Sequence, residues 1–336
     1  MDLSLSGLSP YLIYNFKSEH ELINSIEELS QNFTKNREFI ADYLKDPRLI
    51  AAYTVFYFLT NIPKLSRVIK WLPGEWINLL KDCDFVDLGA GPGTFSLAWK
   101  ELGGRGDFYQ VELSPLMREQ GRKIWEGLFQ SKIHQGPRWE WKTEKPKFLL
   151  FGHSANEMDL EEIIKYIRMI DPDHILFIEP GTRDFFSKML GIREHLINEG
   201  YNILYPCSNS SECPMRGTHD WCHQFISIQH SPEIERISQL AKKDRKLLPI
   251  TVQAFSRTFV RDNPAERLVR VLPETKFSHE WQVCHNNKVE NYQFLKRNLS
   301  KQESKQMSLI LSGEALLTEV IKKLDNVKRV KLKKIL

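Results

Sequence analysis

Asp84-Phe85-Val86-Asp87-Leu88-Gly89-Ala90-Gly91-Pro92-Gly93-Thr94 decides how this chain folds. Its first half reads as a short apolar strand, its second half as a glycine-rich turn, and Thr94–Glu101 as the helix that follows. Glycines let the backbone turn sharply and come close to a ligand, while the next helix offers free amides. The spacing GAGPG is not the GxGxxG of dinucleotide sites. Asp87 precedes the glycines, where a carboxylate takes hydrogen bonds from a ligand ammonium or from its amide neighbours. Glu112 stands 19 residues after Gly93, at the end of the next predicted strand, where a carboxylate accepts both hydroxyls of a ribose. Asp87, Gly89, Gly91, Gly93 and Glu112 are therefore the candidate cofactor-binding residues.

Outward from this stretch, strand and helix patterns alternate. Phe108–Leu113, Lys147–Gly152, His174–Glu179 and Tyr201–Tyr205 read as strands, and Leu116–Phe129, Leu160–Ile170 and Arg183–Glu199 as helices. Gln224–His230 supplies a closing strand. Such alternation predicts an α/β doubly wound parallel sheet wrapped by helices. Residues 1–80 read as a helical segment: Glu21–Tyr43, then Leu49–Thr60, then a stretch opened by Asn61-Ile62-Pro63. Residues 81–230 form the sheet domain, with a cysteine-rich insertion at 206–223. Residues 231–336 form a small β-rich C-terminal module in which Thr251–Val260 and Leu268–Leu272 look extended, Val289–Leu299 is open to either reading and Leu309–Leu324 looks helical.

The chain has 336 residues, 41% hydrophobic and 27% charged, a globular balance that excludes a disordered or fibrous protein. No apolar run approaches the roughly 18 residues that span a bilayer; Ile50–Thr60 comes nearest. The start, MDLSLSGLSP, has an acid at position 2, and the first arginine is Arg37, so neither a signal peptide nor a presequence is expected. A soluble, bacterial cytoplasmic protein follows as the expectation, with no membrane partner and no oligomeric state assigned. Charge is uneven: residues 231–336 hold 22 Lys+Arg against 12 Asp+Glu, while the rest of the chain is net acidic. Lys328, Arg329, Lys331, Lys333 and Lys334 crowd the final stretch, a tail suited to a polyanion such as nucleic acid, or simply to solvent.

The glycine loop with Glu112 resembles motif I and the ribose-binding acid of class I S-adenosylmethionine (SAM)-dependent methyltransferases. That resemblance implies a Rossmann-like, SAM-binding fold. Where many such enzymes carry an Asn/Asp-Pro-Pro-Tyr/Phe segment after the fourth strand, this chain has Phe151-Gly152-His153-Ser154-Ala155-Asn156-Glu157. His153 is a candidate general base or a structural hydrogen-bonding group, and Glu157 faces the cofactor or caps a helix. No catalytic residue is assigned.

The five cysteines are Cys83, Cys207, Cys213, Cys222 and Cys284, an odd count that argues against a disulfide framework. Cys83 abuts a strand and reads as a buried apolar group. Cys207, Cys213 and Cys222 fall within sixteen residues of one another, and Cys284 lies further on. Four converging thiolates hold an iron–sulfur cluster or a zinc ion, and the spacing does not choose between them. The missing Cys-x-x-Cys knuckle favours the larger cluster, and the missing CxxxCxxC signature argues against radical SAM chemistry.

Taken together, GAGPGT, then Phe177-Ile178-Glu179-Pro180-Gly181-Thr182, then PC…CP…DWCH, resemble the methyltransferase-like small-ribosomal-subunit assembly proteins, known from mitochondria and with bacterial relatives. Ala52-Tyr53, Asn61-Ile62-Pro63, Ala254-Phe255-Ser256 and Cys284 extend the likeness over about residues 50–300. It implies a SAM-binding factor of the small ribosomal subunit, in contact with rRNA, with a [4Fe-4S] cluster on Cys207, Cys213, Cys222 and Cys284. Zinc is the alternative metal. His285-Asn286-Asn287 replaces the glycine-containing turn of the family after the fourth cysteine, which leaves His285 or His223 as substitute ligands. The competing function is an active SAM-dependent rRNA methyltransferase.

Overall fold

A computed structural model describes residues 4–34, 44–131, 133–261 and 266–335. The chain opens with α1 (Leu5–Leu8) and α2 (Glu19–Thr34). The remainder of the predicted helix Glu21–Tyr43 lies outside the described residues. Asp46 caps α3 (Pro47–Tyr53) through Arg48 N. The helix then widens into a π turn at Thr54–Phe58 before α4 (Leu59–Val68). Pro63 thus lies inside a helix rather than opening one. Proline removes a donor from the ladder, and the wide turn just ahead is the sort of irregularity that absorbs such a gap. After α5 (Gly74–Leu80) the sheet begins.

Its elements are β1 (Asp84–Leu88), α6 (Thr94–Glu101), β2 (Phe108–Val111), α7 (Pro115–Phe129), β3 (His134–Gly136), β4 (Lys147–Gly152), α8 (Leu160–Ile170), β5 (His174–Pro180), α9 (Arg183–Asn198), β6 (Asn202–Tyr205), β7 (Gln224–Ser227), α10 (Pro232–Leu240) and β8 (Leu247–Ser256). The sheet order is β3-β2-β1-β4-β5-β8-β6, with β7 added on β8. The five strands from β3 to β5 are parallel. β8 runs antiparallel between β5 and β6. The sheet is therefore not wholly parallel, and one of its strands comes from beyond residue 230. Residues 250–255 are buried there on both faces, Thr251 and Gln253 included, as an interior strand requires. This order, with one antiparallel strand near the far edge, is the Rossmann-like arrangement of class I methyltransferases.

One face of the sheet packs Phe85, Phe148 and Leu176 against Trp76, Trp99 and Trp125 from the helices. The other buries Leu149 and Phe177 against Ile163, Ile167 and Met189. A third core, with Ile26, Ile50 and Phe56, joins the N-terminal helices to α6 and α7.

The last third is a closed barrel of β9 (Glu266–Val271), β10 (Ser278–His285), β11 (Lys288–Leu295), β12 (Ala315–Lys323) and β13 (Lys328–Ile335), with α11 (Lys301–Leu309) between β11 and β12. Trp281, Tyr292, Phe294, Leu268 and Leu316 fill it, and Met307 of α11 joins them. Leu309–Leu324 is thus not one helix. Its apolar spacing imitates a helical face, but Gly313 at φ +106° breaks it, and Thr318, Val320 and Ile321 belong to a strand paired with β13. The basic tail is likewise a barrel strand, with Val330 turned inward and Lys331 outward. Among the described residues no helix is long and apolar enough to cross a membrane.

Candidate functional site: a glycine loop and a four-cysteine cavity

At the end of β1 the three loop glycines hold φ of +69°, +54° and +82°, a region that side chains disfavour. Each neighbourhood differs. A Cβ on Gly89 would stand 2.4 Å from Ser154 Cβ, and one on Gly93 2.3 Å from Gln110 Nε2, whereas one on Gly91 would meet nothing within 4 Å. The loop is pinned from both sides and open in the middle, the cradle a nucleotide cofactor needs.

Asp87 is buried and accepts Ser96 N at 2.9 Å and Ser96 Oγ at 2.8 Å, so it braces the first turn of α6. Burial pushes its pKa up to about 7, against the pull of the Ser96 hydrogen bonds. Of its two sequence roles, the amide-neighbour one is realised. Glu112 accepts Gly91 N and Ser114 N, each at 2.8 Å. Its carboxylate thus touches the open glycine, and each oxygen keeps a lone pair beyond the one that these amides use. Burial raises its pKa, and the amides of Ser114 and Gly91 oppose that shift.

Three residues here were not among the candidate site residues, although Glu179 and Tyr53 lie in segments that carry the family resemblance. Lys64 of α4, 2% exposed, places Nζ 2.6 Å from His153 Nε2 at the end of β4. The signal for it was a lysine on an otherwise apolar helix face beside Leu65 and Val68. Glu179, fully buried, accepts the amides of Ser154, Ala155 and Asn156 and fixes the loop after β4. Burial lifts its pKa to about 8. Burial, and then the charges of Glu157 and Glu112, raise the pKa of the Tyr53 hydroxyl. His153 sits at φ +62°, with its ring 6.2 Å from that of Phe95.

The second feature is a cavity whose lining includes Cys207, Cys213, Cys222, Cys284, Arg193 and Arg267. Cys284 arrives from the barrel and the other three from the loop after β6. Burial, and then the proximity of Cys207, Cys213 and Cys284, drives the Cys222 thiol well up. Cys284 is pushed up to about 12 by burial and then by Cys207 and Cys213. The loop is anchored by Trp221 Nε1 donating to Gly181 O at 3.0 Å and by Arg193 donating to Asn209 O and Ser211 O. An Arg270–Asp220 ion pair ties it to the barrel. Arg193 Nε and Arg267 Nη2 are buried without a partner, so two cationic N–H groups remain unused around the sulfurs. That donor set suits an anionic thiolate centre. Among the described residues no three His, Cys, Asp or Glu side chains converge as the ligands of a single metal ion.

Neither His223 nor His285 lines the cavity. Asn286 and Asn287, at φ +47° and +61°, form the tight turn between β10 and β11 and do the work of the family's glycine. Cys83, buried with Sγ 3.6 Å from Leu79 O, stands apart as expected.

Residues 49–298 match the family described as "Mitochondrial small ribosomal subunit Rsm22". The chain belongs to that family. Rsm22 membership together with the strand order makes it a methyltransferase-like protein of a small-ribosomal-subunit family. No curated protein matches the sequence. Among solved structures, magnesium protoporphyrin IX methyltransferase of Synechocystis with bound SAM is 12% identical, with 73% of this chain and all of that one covered, at a TM-score of 0.39. Precorrin-6y C5,15-methyltransferase of Geobacter metallireducens is 16% identical over 57% and 86%, at 0.36. M. capricolum TrmK with S-adenosylhomocysteine is 6% identical over 56% and 70%, at 0.33. The strand order, rather than these overlaps, carries the fold assignment for this Rsm22 protein.

Proposed function

We propose that this chain is a SAM-binding, iron–sulfur-containing factor that engages rRNA of the small ribosomal subunit. One observation carries the reading: four cysteines, three from the sheet domain and one from the barrel, line a single cavity with two buried arginines. In it, Cys207, Cys213, Cys222 and Cys284 hold a [4Fe-4S] cluster, whose role is to crosslink the insertion to the barrel. Glu112 binds the ribose of SAM and Gly91 gives the cofactor its room, while Asp87 keeps the loop in shape. SAM, when bound, supplies an activated methyl group.

The proposal divides the chain into a helical N-terminal segment, a sheet domain with its cysteine insertion, and a basic barrel. It keeps a bacterial cytoplasmic setting, although the family's description is mitochondrial. The rival reading, an active rRNA methyltransferase, needs a base near the acceptor. His153 is a poor one, because burial and then the neighbouring Lys64 and Arg245 push its pKa well down. Protein purified without oxygen should be brown and carry about four iron and four sulfide per chain. Colourless protein with one zinc would overturn the cluster, and stoichiometric transfer of tritium from labelled SAM to small-subunit RNA would move the protein to the enzymes.

A further inference from the structure

The barrel has a specific connectivity. β9 pairs with both β10 and β12, β10 with β11, and β11 runs parallel to β13. The helix α11 falls between its third and fourth strands. A five-stranded Greek-key barrel with that order is the OB-fold. Its second and third strands, flanked by the loop joining the first two and the loop joining the last two, take oligonucleotides. Topology alone assigns no ligand, so the surface has to supply the chemistry.

It does so at both flanks. In the loop after β9, Phe277 is 71% exposed, with Lys276 Nζ 5.9 Å from its ring centre. At the other flank, the β12–β13 hairpin holds seven Lys+Arg against Glu319 and Asp325. Lys322, Lys323, Lys331 and Lys334 are exposed and have no ion pair among the described residues. Ile321, 59% exposed, lies next to Lys322. Between the flanks the outer face presents Gln282 opposite Asn291, amides able to donate and accept. The far end of the same face is already used, since Cys284 and Val289 pack there against the cysteine insertion. What remains is a short polar track with an aromatic platform at one side and a cationic arm at the other.

We infer that this track binds single-stranded RNA, with a base stacked on Phe277 and phosphates on the hairpin lysines. The excess of positive charge selects a polyanion over a protein or an apolar partner. An exposed ring selects unpaired bases, because a duplex hides its base faces. The inference rests on the rRNA reading for the class of partner and adds which face binds and in what form the RNA is held.

The test is fluorescence anisotropy of the full chain with a labelled oligouridine of about 12 nucleotides and a duplex of similar length, alongside retention on small-subunit RNA. The single strand should bind about tenfold or more tightly than the duplex, and Phe277→Ala should weaken it about tenfold with little change in salt dependence. Lys322→Gln with Lys323→Gln should lower the slope of log affinity against log salt by about 1.4. Phe277 is exposed, and an unchanged melting temperature in its variant would show the fold intact. Equal affinity for the two RNAs, or a Phe277→Ala variant that binds as before, overturns the inference. If the wild type holds small-subunit RNA while the variants bind unchanged, the barrel track fails and the rRNA reading stands. If the wild type holds none of these RNAs, both fall.

Discussion

Lys64 Nζ lies 2.6 Å from His153 Nε2, so one hydrogen bond joins the N-terminal helices to the end of the fourth sheet strand. Burial disfavours the charged form of both groups. Burial, then Arg245, lowers the Lys64 pKa well below its ordinary value, with Glu179 opposing. An amine depressed in this way binds fewer protons folded than unfolded. Its contribution therefore favours folding more as pH rises toward the unfolded lysine value, and costs stability as pH falls. Lys64→Met removes that dependence. Urea denaturation at about pH 7 and about pH 9.5 should show the wild type gaining stability relative to the variant at the higher pH. A constant difference between the two proteins would mean that Lys64 titrates alike in both states.

The glycine loop separates folding from binding. Gly89→Ala drives a Cβ into Ser154 and should cost about 2 kcal/mol or more by thermal or urea denaturation. Gly91→Ala meets no neighbouring atom and should cost only about 1 kcal/mol, from its left-handed backbone. Calorimetry with S-adenosylhomocysteine should nevertheless find at least tenfold weaker binding for Gly91→Ala, because its Cβ enters the space reserved for the cofactor. Unchanged affinity would move the cofactor away from Gly91.

The arginines beside the sulfurs give a third expectation. Cys222→Ser should lose most of the iron. Arg193→Met should keep iron, since Arg193 supplies no ligand, yet removing a buried cation next to an anionic cluster should make the cluster's reduction potential more negative. Voltammetry reads this directly. A potential equal to the wild type's would restrict Arg193 to fastening the Asn209 and Ser211 carbonyls.

What was legible in the sequence follows from distance along the chain. The strand, glycine turn and helix of Asp84–Glu101 form from residues that touch their neighbours in sequence, and they were read correctly. Cys207, Cys213 and Cys222 are likewise close together, whereas Cys284 lies far along the chain, and its place as the fourth thiolate rested on cysteine count before the family resemblance supported it. The barrel was hidden because its evidence is pairing. Leu309–Leu324 carries a spacing compatible with a helix, and only its partners β9 and β13 make its second half a strand. The alternation in Val330-Lys331-Leu332-Lys333 was a strand signal masked by the sheer density of lysine. The Lys64–His153 pair joins residues that no local pattern connects.

The wide turn at Thr54–Phe58 acts as an index mark for everything after it. A π turn holds one residue more than a regular helical turn, and each residue rotates a helix by about 100°. Were the turn regular with every residue kept, the following helix would be re-phased by one position, and Pro63 would stand where Lys64 now meets His153. Which side chain meets the end of β4 is thus set by a one-residue surplus that begins ten positions upstream.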